Sequence, residues 1–91
     1  MRTENVTLQS GAEVTLAPLT LAQVDAYIEA SAAGDRSGIY AACMNSANNG
    51  GSTYDLDRFR QEITFPDLVA LQTAMRRVTM LAAEGEEAAA K

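Results

Sequence analysis

Thr64-Phe65-Pro66-Asp67-Leu68-Val69-Ala70-Leu71-Gln72-Thr73-Ala74-Met75-Arg76-Arg77-Val78-Thr79-Met80-Leu81-Ala82 is the stretch on which the fold turns. Leu68, Leu71, Met75, Val78 and Ala82 recur at spacings of three, four, three and four, the period of one helical face. Thr64 is placed to cap this helix. Pro66 sits in the first turn, where its missing N–H costs nothing, and Asp67 suits the positive end of the helix dipole. Gly85 ends the pattern, and the alanine- and glutamate-rich tail beyond it is expected to fray. Val69, Thr73, Met80 and Leu81 lie off the seam, so this helix carries apolar surface on more than one side.

Working back towards the N-terminus, Leu56, Phe59 and Ile63 stand at i, i+3 and i+7 and predict a short helix. Asn48-Asn49-Gly50-Gly51-Ser52 before it is the strongest break in the chain and predicts a flexible loop. Ile39, Tyr40, Cys43, Met44 and Ala47 form the stripe of another helix starting near Asp35, with Gly38 weakening its first turn. Thr20-Leu21-Ala22-Gln23 has capping-box form and opens a helix that Gly34 can close. Leu21, Val24, Tyr27 and Ile28 are its expected apolar face. Val6-Thr7-Leu8 and Val14-Thr15-Leu16 flank Gln9-Ser10-Gly11 and predict a β-hairpin. A lone hairpin is marginal in water, so this one must lean on a helix or pair with another chain.

These readings give a single domain over 1–91, mainly α with a short N-terminal β-hairpin (α+β). The hairpin falls within 1–17, helices within 20–33, 35–48, 54–63 and 64–83, and the tail within 84–91. A chain of 91 residues buries roughly 60–65% of its unfolded surface, so its core is thin. Apolar residues make up 47%, but many are alanine, which favours helix and buries little area.

Function classes narrow next. Histidine is absent, which removes the commonest general base and metal ligand together. Cys43 has no activating base nearby in sequence and lies on an apolar stripe, as a buried structural thiol does. Asp55, Asp57 and Glu62 lack the glycine and spacing of a calcium loop, and the intervening arginines favour local charge pairing. Gly50-Gly51 matches no nucleotide-binding fingerprint. Asn5-Val6-Thr7 is a formal glycosylation sequon without a secretion signal beside it. We therefore expect no enzyme, no cofactor and no metal. Net charge is −5 and no cation cluster exists, so neither nucleic acid nor a membrane surface is an expected partner. No run reaches the ~18–20 apolar residues of a membrane span, and a cytoplasmic location follows as the expectation.

Protein binding remains. Phe65, Leu68, Leu71, Met75 and Val78 are the candidate interaction residues, on a seam that fits equally the inward face of a small bundle and a docking surface, since only three other short helices are there to cover it. Leu71 and Met75 are expected to hold copies of the chain together as a homo-oligomer.

Two stretches resemble the tail assembly chaperones of long-tailed bacteriophages. Val6 through Val24 is similar to the family's opening strand and its leucine-threonine cap. Glu62-Ile-Thr-Phe-Pro-Asp-Leu-Val-Ala-Leu is similar to its closing helix, with Arg77-Val-Thr-Met-Leu where that helix ends. Together they span about half of the chain, and Asn45 to Thr53 lies outside them. The resemblance implies a protein made in the infected cell that coats the tape-measure protein while the tail tube grows. It also implies absence from the mature virion, self-association, and recruitment of the tail tube protein by a frameshifted longer form. It carries over no catalytic or cofactor residue. A structural virion component, such as a connector or tail protein, and a small acidic regulatory binder are the alternative readings.

Overall fold

The computed structural model describes residues 2–81. Two strands, β1 (Glu4–Thr7) and β2 (Glu13–Leu16), precede four helices, α1 (Leu21–Ala33), α2 (Arg36–Asn49), α3 (Leu56–Glu62) and α4 (Phe65–Thr79). The fold is mainly helical with an N-terminal antiparallel hairpin, as the periodicities predict. The expected tail at 84–91, with Ala82 and Gly85, lies outside the described residues.

In the hairpin Val6 pairs with Val14 and Asn5 with Thr15. Gly11 takes φ 93° and its N–H donates to the Leu8 carbonyl, closing the turn. Alternation sends Val14 and Leu16 inward, where Leu16 is fully buried. Among the described residues the sheet has only these two strands, and it leans on α2 and α4. The join to α2 is close. The Ser46 hydroxyl donates to the Ala17 carbonyl at 2.7 Å while the Ala17 N–H donates to the Ser46 carbonyl at 3.0 Å. A Cβ at Gly50 would overlap the Thr15 carbonyl, so only glycine lets the end of α2 meet the strand backbone.

α1 starts with the expected capping box. The Gln23 N–H donates to Thr20 Oγ1 and the Thr20 N–H to Gln23 Oε1. It ends on Gly34 at φ 70°, whose N–H and that of Asp35 close a Schellman motif. Its inward face differs from the expectation. Tyr27 and Ala30 are buried and Val24 is half-buried, while Leu21 and Ile28 point out. Tyr27 turns inward because its hydroxyl finds partners there, accepting from Gln72 at 3.0 Å and Arg76 at 2.9 Å. Ala30 faces Gly38, where any Cβ would collide with the Ala30 methyl. Gly38 is thus the point of close approach between α1 and α2, more than a weak first turn.

The predicted break is present at Gly50 and Gly51 but starts later than expected. Asn48 and Asn49 belong to α2, and their amides pin the chain around them. Asn48 donates to the Tyr54 carbonyl and accepts from the Tyr54 N–H, at 2.9 and 2.8 Å. Asn49 donates to the Pro18 carbonyl and to Gln23 Oε1. Polar residues that suggest a solvated loop here act as fasteners between elements.

Two details of α4 depart from expectation. Thr64 occupies the cap position without capping; its hydroxyl donates to Gln9 Oε1 instead. The helix also stops at Thr79, short of residue 83, because Met80 adopts φ 68°. The N–H groups of Met80 and Leu81 then bond back to Arg77 and Arg76, completing a Schellman motif on a residue that is not glycine.

Candidate protein-docking site

The seam of α4 is the first place to look for a binding surface, and four of its residues belong to the core. Leu68, Leu71, Met75 and Val78 are buried within their own chain, with Leu71 and Met75 at 0% exposure. The expectation that Leu71 and Met75 join copies is therefore corrected. The reason lies in the hairpin: Leu8, Val14 and Leu16 join Phe59, Cys43 and Ala47 in covering the stripe that the other helices alone would leave bare. Cys43 shares that core, and burial pushes its thiol up to about 12.

Phe65 alone among the five expected interaction residues stays outside, at 73% exposure. It stands at the rim of a groove of about 250 Å³ where α2, α3 and α4 converge. Phe59 and Leu68 form the buried floor, and Tyr40, Ile63 and Thr64 line the sides with Arg60. Each element places its side chain for a local reason. Asp55 caps α3 by accepting from the Arg58 N–H at 2.8 Å, which fixes the phase that turns Phe59 inward. The Tyr54 ring meets Phe59 edge-on at 5.5 Å and holds it from behind. Ile63 is extended between α3 and α4, so the chain turns here and Phe65 emerges at the first position of α4.

Charge around the groove is uneven. Arg58 pairs with Glu62 at 2.8 Å, as the i, i+4 spacing favours. Arg60 pairs with no carboxylate among the described residues. The groove is thus an apolar slot with one cationic corner, which suits an apolar side chain carried on a helix or extended segment. Neither Tyr40 nor Arg60 was legible as a site residue, because Tyr40 read as part of a helix stripe and Arg60 as a partner in local charge pairing. The signal for Phe59 and Ile63 was their share in the Leu56, Phe59, Ile63 spacing, read only as a short helix, although Ile63 falls just beyond the end of α3.

The remaining candidates have structural work. Asp67 is buried and its carboxylate accepts from the Gln9 N–H at 3.1 Å, tying the hairpin turn to α4. The Asn5 side chain accepts from the Thr15 hydroxyl across the hairpin. Among the described residues no three carboxylates or thiols converge as metal ligands would, and no helix is long and apolar enough to cross a membrane. No protein-family model, curated protein or solved structure matches this chain.

Proposed function

We propose that this protein binds a helical partner chain and keeps it soluble, acting as a tail assembly chaperone for a tape-measure protein in the cytoplasm of an infected cell. The observation that carries the reading is Phe65, a large aromatic held in water beside an apolar groove floored by Phe59 and Leu68. Covering such a ring releases roughly 1.5–3 kcal/mol. A few neighbours add comparable amounts, and association entropy offsets much of the total, so one copy binds weakly. Weak contacts repeated along a long partner hold it by avidity, and each releases separately as the tail tube grows. The acidic chain supplies solubility. The resemblance at Val6–Val24 and Glu62–Leu71 selects the tape-measure protein from among helical partners, with the tail tube protein as a second.

The test is co-expression with the tape-measure protein encoded in the same genome. Soluble yield should rise, and the two should co-purify with several copies of this chain per partner. Phe65→Asp should abolish both effects while circular dichroism stays helical, since aspartate suits a first helical turn. Unchanged yield with a folded chain rejects the role. Recovery of the chain from purified particles by mass spectrometry would then assign it to the virion as a structural component.

A further inference from the structure

A slot of about 250 Å³ falls below the roughly 300–1,000 Å³ of small-molecule sites, so the groove is sized for one or two apolar side chains of a protein partner. Its floor, Phe59 and Leu68, and its rim, Phe65, carry no charge. Two donors stand on its walls with no bonding partner among the described residues: the Arg60 guanidinium of α3 and the Tyr40 hydroxyl of α2. Their polar neighbours are already engaged. Arg58 bonds to Glu62 and to the Thr53 carbonyl and lies over the Tyr54 ring, and the Thr64 hydroxyl donates to Gln9. An arginine and a phenol beside an apolar slot both donate to a carboxylate. Charge over the rest of the chain points the other way. Its 12 acidic residues against 7 basic ones repel an acidic segment and attract a basic one at long range.

We infer that the groove selects helical segments in which an apolar anchor stands one turn from a single carboxylate, the rest of the segment being neutral or basic. The anchor enters between Phe65, Ile63 and Leu68, and the carboxylate accepts from Arg60 and Tyr40. A lysine in the carboxylate's place meets Arg60 and is rejected, while a run of carboxylates is turned away by the chain's own charge. The apolar contact supplies the affinity and the polar pair supplies the choice of segment. This selectivity rests on the partner helix docking in the groove, and it fixes which stretches of a long helical chain are covered and which are left bare.

Labelled peptides, read by fluorescence anisotropy against the full chain, test this. Each is an alanine-rich helix of about 20 residues, long enough to be helical alone and kept basic by lysines. Each carries two leucines one turn apart, with Glu, Gln or Lys one turn beyond them, and a second set has the order reversed. The Glu peptide should bind roughly tenfold tighter than the Lys peptide, with the Gln peptide between. Arg60→Gln should erase most of that preference and Arg60→Glu should reverse it, in chains that stay helical by circular dichroism because Arg60 is exposed. Tyr40→Phe should narrow the gap between Glu and Gln, and Phe65→Asp should lose all three peptides. Equal binding of the three peptides by the wild-type chain overturns the inference. Binding of none, or a preference that survives Arg60→Gln, does the same. Co-expression with the tape-measure protein separates the two readings. If Arg60→Glu raises its soluble yield as well as the wild-type chain does, the selectivity falls and the chaperone role stands. If the wild-type chain leaves the yield unchanged while the peptide order holds, the chaperone role falls and the selectivity stands.

Discussion

Met80 is the one described residue other than glycine with positive φ, at 68°. A side chain there costs roughly 1–2 kcal/mol against the following carbonyl, and the Met80 side chain recovers little, being 79% exposed. Met80→Gly should therefore stabilise the domain by about 1 kcal/mol. In a chain of this size that raises the thermal midpoint by roughly 4–8 °C. Met80→Ala keeps the strain and should show no gain, which separates backbone relief from the loss of an exposed thioether. This residue also shows where reading by local pattern stops. The apolar period runs on in sequence from Val78 to Ala82, past Met80, so nothing nearby marks the end of α4. Gly34, by contrast, announces the end of α1 because glycine is the usual occupant of a left-handed cap.

Between elements, the longest-range fastening runs from β1 to α4. Arg77 grips Glu4 with two nitrogens, Nε at 2.9 Å and Nη2 at 2.6 Å. The guanidinium holds the Glu4 carboxyl below its ordinary range, chiefly through these hydrogen bonds. A depressed carboxylate pKa means the contribution is complete above the ordinary carboxylate range and disappears as pH falls through the lowered value. The pair is partly exposed, so its worth is about 0.2–1 kcal/mol. Glu4→Gln should lower the unfolding free energy from urea titration by that amount at neutral pH, and the gap between variant and wild type should close in acid. Element existence was legible throughout: two strands and four helices stand where alternation, caps and periods put them. Element faces were less so. Tyr27 turns inward for hydrogen bonds to Gln72 and Arg76, 45 and 49 residues away, and no window on α1 contains that information.

At the scale of the molecule, the α4 stripe is core, and substitutions there should act on folding. Leu71→Ala should cost about 2–5 kcal/mol, a large share of the roughly 5–15 kcal/mol that holds any such domain together. Leu71→Asp should lose its helical circular dichroism outright. A helical, merely monomeric Leu71→Asp variant would return the stripe to the role of an interface between copies. The periodicity of Leu68, Leu71, Met75 and Val78 was read correctly but fitted a core and an interface equally well, because the apolar face of the hairpin was left out of the cover. The groove was less legible still, being assembled from α2, α3 and α4 by tertiary packing with only Phe65 and Leu68 singled out in advance. That hairpin cover has a consequence for how the protein is made. The two strands leave the ribosome first among these elements, yet α4, one of the two helices they lean on, is the last to emerge. At roughly 5–20 residues per second the strands wait several seconds with their inner face open. The α1–α2 pair, close in sequence, is free to form during that interval. Translation order thus makes α4 the element that locks the fold, and a nascent chain stalled before Thr64 carries a hairpin without its α4 support.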